Sequence, residues 1–427
     1  MRDALIPTMV APTPSGPEPG TLLRTLRGLA GYRCGHSGSC CRAGWPIPVE
    51  AAPLRVLTEA GLRPVTVAHD GTGAVGYAAI LGRTPEHACV AHDPTHSNGG
   101  CSLERALGPK GLPYSCRQFP RVLLGDGRGW HVSLSAWCGT AAALLASGGV
   151  AGVDFLSYDH ISADERVHVE GLDARDAWPP FLRPGVLAGL EAYDAWERRI
   201  LLEWLAPGAA GRALVHDALA DALRWTEWVR NWRAADGSLE ARVARPWLRR
   251  PPHRPGQAAT NPADVLRELR ALVPETWRPT DWPAGLTDAS FVGVPVTERE
   301  AHAALARYLG TRLLGSWVAY QGQGVRSVLA SLCSSLALVS LALTAHPGPT
   351  VSLGQLRTAL RAADWLQLHL LDRDQWAAWC AAWEDERNPA DLLSLVGASG
   401  DLLIRCGWVP SVVTQRHGPS KAAALPG

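Results

Sequence analysis

Beyond about residue 184, apolar residues recur every three or four positions for most of the remaining chain. "GVLAGLEAYDAWERRILLEWLA" and "RALVHDALADALRWTEWVRNWRAA" each carry the one-sided apolar stripe that predicts an amphipathic helix. Trp225, Trp228 and Trp232 fall on that stripe at i, i+3 and i+7, which reads as core. Asn261 before Pro262 predicts an N-cap followed by a first helical position. Thr297 and Glu300, at the head of "TEREAHAALARYLGTRLL", have the spacing of a capping box. The most apolar stretch, Val328 to Ala345, reaches the length of a membrane span. Ser331, Ser334, Ser335, Ser340 and Thr344 interrupt it, so a buried helix is predicted instead.

Upstream the period changes. "FPRVLL" and "GWHVSLS" alternate around "GDGRG" and predict a β-hairpin. "VDFLSYDHI" and "RVHVEGL" read as short strands, "SLERAL" as a short helix capped by Ser102, and "WCGTAAALLAS" as a helix starting near Cys138. "DPTHSNGG" and the run Gly108, Pro109, Gly111, Pro113 break the chain into loops. The expected fold class is α+β, mostly α. A flexible N-terminus (1–20) precedes a small, loop-rich cysteine domain with a hairpin (21–150). Connecting β segments (151–183) lead to a larger helical domain (184–413), with a Pro/Arg-rich linker near 245–262 and a disordered tail (414–427). No internal repeat of solenoid period is present.

Composition narrows the functional classes. The formal net charge is +1, which predicts neither nucleic acid nor a membrane surface as partner. Lys110 and Lys421 are the only lysines, which leaves little room for Schiff-base catalysis. The proline-rich N-terminus lacks the apolar core of a secretory signal, so a cytoplasmic location is expected, where disulfides are disfavoured.

Of the ten cysteines, Cys34, Cys40, Cys41, Cys89, Cys101, Cys116 and Cys138 crowd into a quarter of the chain. An odd number of thiols in a reducing compartment reads as a metal-ligand set rather than as disulfides or filler. Cys333, Cys380 and Cys406 stand alone on apolar helical patterns and read as core. Trp45 after the cysteine pair also reads as core. His87, His92 and His96 near Cys89 read as a solvated loop rather than as further ligands.

"YRCGHSGSCCRAGW", then the pair Cys89 and Cys101 across a loop, then "LGPKGLPYSCRQFPR" and "SLSAWCGTAA", resemble a known family over about residues 32 to 146. It is the cysteine-cluster family of zinc- or iron-chelating domains, and within it the order is most similar to the flagellin lysine-N-methylase branch. Two features depart from the branch pattern. A cysteine usual before the pair is missing, with His36 the neighbour that could replace it, and the S-C-P motif becomes "SAWCGT". The resemblance implies a metal centre, S-adenosylmethionine as methyl donor, and lysines of flagellin or another protein as substrate.

The metal stays open between an iron–sulfur cluster and zinc. Seven thiols and no short C-x₂₋₄-C knuckle favour the multinuclear cluster. In "CRQFPR", Arg117 and Arg121 either donate hydrogen bonds to the thiolates and offset their charge, or form surface ion pairs. No G-x-G-x-x-G after a strand, Walker A, H-E-x-x-H or G-x-S-x-G occurs, so no catalytic or donor-binding residue is assigned. Two classes remain: a protein lysine N-methyltransferase, or a non-catalytic protein whose cluster is structural or redox-sensing.

Overall fold

The computed structural model describes residues 22–43, 47–59, 61, 77–85, 88–95, 100–108, 111–147, 153–157, 171–205, 214–247, 262–272, 295–344, 350–370, 373–385 and 387–405. The N-terminal segment 1–20, Trp45, His87, His96, Pro109, Asn261, Cys406, the tail 414–427 and most of the 245–262 linker lie outside the described residues. The described residues are α+β and mostly α, as the patterning predicts.

The strands are β1 (Leu22–Leu26), β2 (Pro48–Glu50), β3 (Tyr77–Ile80), β4 (Arg121–Asp126), β5 (Gly129–Leu134), β6 (Val153–Ser157), β7 (Gly171–Asp173), β8 (Phe181–Arg183) and β9 (Val186–Leu187). The expected hairpin is β4–β5, with Asp126 opposite Gly129 and Arg121 opposite Leu134. It forms the middle of a mixed five-stranded sheet in the order β6-β1-β5-β4-β7. β1 runs parallel to β5, Leu23 beside Trp130, so the start of the described chain lies against a strand about a hundred residues later. β2 and β3 form a separate antiparallel pair beside the Ala51–Glu59 helix.

The helical part is built around one helix, Val325–Thr344. It packs against Val215–Arg230, Glu298–Leu313, Leu353–Trp365, Arg373–Asp385 and Pro389–Arg405. Its most apolar window is 89% buried inside the fold, so neighbouring helices cover it. The serines that interrupt the stretch are satisfied internally. Ser335 and Ser340 donate back to the carbonyls of Ser331 and Leu336, and Ser334 accepts from Trp379 Nε1 at 2.9 Å. Cys333 and Cys380 are buried in this core, and Trp225 lies in it with Trp228 and Trp232 at its edge.

Two local expectations shift. Residues 184–189 are not helical: Gly185 and Gly189 sit at φ +76 and shape the β8–β9 turn and the start of the helix, which begins at Leu190. Ser102 is the first residue of the Ser102–Leu107 helix rather than its cap, because its hydroxyl donates to Ala91 O at 2.9 Å and Cys101 takes the cap position. The helix expected to start near Cys138 begins at Gly139, as the pattern predicts, with Cys138 O accepting from Ala142 N at 2.8 Å. The capping box forms as expected: Thr297 Oγ1 accepts from Glu300 N, and Glu300 accepts from Thr297 N at 2.9 Å. Thr297→Ala is expected to cost about 1 kcal/mol of stability, read as a lowered urea midpoint with an unchanged slope.

A second, much smaller core lies under the cysteine-rich segment. Ile47, Val49, Leu57, Ala79, Leu81, Leu103 and Leu112 fill it together with Cys41 and Cys89. Among the described residues these and Ala91 are a small set for a loop-rich unit to bury.

Candidate metal centre

Four separate segments carry thiols into the small core. The Cys40–Arg42 segment is a single 3₁₀ turn, with Ala43 N donating to Cys40 O. An extended chain would send adjacent side chains to opposite faces, whereas the turn's threefold rotation lets Cys40 and Cys41 face the same region. Cys89 N donates to Cys41 O at 2.7 Å and joins the second segment to the first. Cys89 pairs with Arg83 in one isolated β-bridge, and Cys101 with His92 in another that closes the loop between Cys89 and Cys101 near its base. Cys116 lies in the short Tyr114–Gln118 helix, whose start is held by Glu50, a carboxylate oxygen accepting from Tyr114 N at 3.2 Å. Cys40, Cys101 and Cys116 complete the packing around Cys41 and Cys89.

The Cys41 thiol is the centre of the group. Hydrogen bonds with Cys101, Cys40 and Cys89, and then burial, push it well above the usual thiol range. The same contacts act oppositely on the acceptors. The Cys41 thiol lowers Cys89 against the effect of burial, and lowers Cys101 to about 7, helped by the Glu104 and Leu103 amides. Burial raises Cys116, and the charges of Cys40, Cys89 and Cys101 add to it. Two guanidinium groups feel the thiolates: Arg42 beside Cys41 and Cys40, and Arg83 beside Cys89. None of the nine described cysteines is in a disulfide. Among the described residues, no three Cys, His, Asp or Glu side chains stand in ready-made ligand geometry.

The other two cysteines of the cluster lie apart. Cys138 belongs to the large core, 3.5 Å from Tyr32 Oη. Cys34 is exposed, its sulfur accepting from His36 N at 3.4 Å. Their shared neighbourhood arises because Gly35 N donates to Thr140 Oγ1, two residues past Cys138. His36 turns to Glu104, with Nδ1 3.1 Å from its carboxylate, on the exposed side. Arg117 lies over the Tyr114 ring at 5.9 Å and Arg121 over the Tyr32 ring at 5.6 Å, so Arg121 approaches Cys138 through Tyr32. Sequence reasoning missed Arg42 and Arg83. Arg42 follows the pair directly and had a local signal; Arg83 depends on its bridge to Cys89 and had none.

Comparisons of the chain with protein-family models, with curated proteins and with solved structures find no match.

Proposed function

We propose that the chain is a metal-binding protein whose centre is formed by Cys40, Cys41, Cys89, Cys101 and Cys116. The observation that carries this is the gathering of five thiols, from four segments spanning residues 40–116, in one small core, with Cys41 touching three of the others. Local structure gives no reason for such convergence, and a shared ion does. The donor set suits soft metals: all sulfur, Cys41 and Cys89 buried and Cys40, Cys101 and Cys116 half-buried, two members lowered toward thiolate and two arginines nearby. Five candidates exceed one tetrahedral ion and favour an iron–sulfur cluster over zinc. Either group would supply the cohesion that the small core lacks; a cluster would add an electron-transfer couple.

The position of the thiols at the heart of that core favours a structural or redox-sensing role. Methyl transfer from S-adenosylmethionine to lysines of flagellin or another protein is the more specific proposal. It rests on the motif resemblance, as does a reducing, cytoplasmic setting on the unpaired thiols. The test is anaerobic purification of the full chain, with iron, zinc and acid-labile sulfide measured per chain and an absorption spectrum recorded. Iron with sulfide is the expected result. Zinc alone would keep the centre and reject the cluster; reduced thiols without bound metal would reject both. Labelled S-adenosylmethionine that neither binds nor labels lysine, with the centre intact, would reject the methyltransferase.

A further inference from the structure

The turn bearing Cys40 and Cys41 is held at both ends by side chains from far along the chain. Ser39 O accepts from Trp137 Nε1 at 2.7 Å, and Ala43 O accepts from Trp365 Nε1 at 2.7 Å. Ser39 Oγ accepts from Arg361 Nη2 at 3.2 Å. The holders also brace one another. Arg361 Nε donates to Trp137 O at 3.0 Å, its guanidinium lies over the Trp137 ring at 5.1 Å, and the two indoles are 5.8 Å apart. Asp364 completes the set, its Oδ2 accepting from Ser135 Oγ at 2.6 Å and from Trp137 N at 3.4 Å. Arg361, Asp364 and Trp365 are i, i+3 and i+4 on the Leu353–Trp365 helix, so one helix face meets the turn and the 135–137 segment beside it. That helix packs on the central Val325–Thr344 helix, which ties the turn to the main core.

We infer that Trp137, Trp365 and Arg361 are positioning residues of the metal centre, and that they make its hold on metal depend on the helical part of the chain. The inference rests on the metal-binding reading. Adjacent thiols can serve one centre only while the turn between them keeps its rotation. Its two terminal carbonyls are fixed by the indole N–H groups of Trp137, which is buried, and Trp365, which is half-buried, and the two rings pack on each other. Without these bonds the turn can relax toward an extended form in which Cys40 and Cys41 diverge, while Cys89, Cys101 and Cys116 stay in place.

The test uses the full chain loaded anaerobically with Co²⁺, whose thiolate charge-transfer band reports ligand geometry. Trp137→Phe and Trp365→Phe keep a ring and remove the N–H. Each is expected to shift the band and to speed release of Co²⁺ to a chelator about 3- to 10-fold, the effect of one hydrogen bond. Trp379→Phe is the control, because it removes an equivalent indole bond, to Ser334 Oγ, inside the helical core. It is expected to leave band and release unchanged. Should a tryptophan variant fail to fold by circular dichroism, Ser39→Ala removes only the hydroxyl that Arg361 reaches and is expected to speed release similarly. Wild-type band and release rate in Trp137→Phe and Trp365→Phe, or in Ser39→Ala where those do not fold, would overturn the inference. Absence of any thiolate band in the wild-type chain would instead reject the metal-binding reading itself.

Discussion

Cys41→Ser is expected to cost the cysteine-rich segment both its metal and its fold. Cys41 is the thiol that contacts Cys101, Cys40 and Cys89, so its loss removes the member on which the others converge. Serine supplies a hard oxygen where soft metals are held by sulfur. Structural metal sites in small units contribute on the order of 10 kcal/mol or more, as much as the whole stability of an ordinary domain. The eight buried apolar residues around the thiols among the described residues cannot replace that. The expected readout is metal content near zero, with rapid proteolysis within residues 40–116 while the helical part resists. Cys380→Ala provides the contrast. Cys380 is buried in the helical core, away from the small cysteine-rich core, so its truncation should cost about 1 kcal/mol and leave the metal content unchanged.

Arg128→Ala is expected to be the most damaging change away from the thiols. Arg128 sits at the tip of the β4–β5 hairpin, its side chain 4% exposed. It donates to Asp126 through Nε and Nη2, at 3.0 and 2.8 Å, and to Glu197 at 2.9 Å, and stacks over Tyr193 at 4.8 Å. Asp126 also accepts from Tyr320 Oη at 2.8 Å and contacts His131 at 3.3 Å. This network joins the sheet to the Leu190–Arg199 and Val318–Gln321 helices. Removing the cation leaves two buried carboxylates uncompensated, a loss of about 3–5 kcal/mol. The pH dependence follows from Asp126. Burial would raise it, but the His131 hydrogen bond and the Arg128 charge outweigh burial and hold it well below the usual carboxylate range. A carboxyl depressed on folding stabilises fully above its unfolded value, near pH 4, and loses that contribution as the pH falls further. Urea midpoints of wild type should therefore drop on the acid limb, and Arg128→Ala should begin its drop at higher pH. Equal midpoints for the two proteins at pH 7 would show that the network does not stabilise the fold.

What the sequence reveals of this chain follows the range of each interaction. The Thr297–Glu300 cap, the β4–β5 hairpin and the buried serine-bearing helix are legible because their determinants lie within a few residues. The parallel pairing of β1 with β5 is not, since nothing near Leu23 specifies Trp130 as its neighbour. The helix expected from residue 184 starts at Leu190, because two glycines at positive φ override the apolar period that continues through them. The thiols show a similar division. Clustering points to all seven of Cys34, Cys40, Cys41, Cys89, Cys101, Cys116 and Cys138 as one group, and five of them share the small core. Spacing cannot show that Cys34 and Cys138 fall beside Tyr32 outside the small core, which depends on the loop after Cys34 docking at Thr140. Nor can it show that Trp365 reaches Ala43 across 322 positions.

X-ray absorption at the metal edge of the anaerobically purified chain shows whether thiols of the small core bind metal. A first shell of sulfur alone, at about 2.3 Å, that disappears with the metal in Cys41→Ser is the expected result. A nitrogen or oxygen first shell near 2.0–2.1 Å without sulfur, or a sulfur shell unaffected by Cys41→Ser, would contradict it.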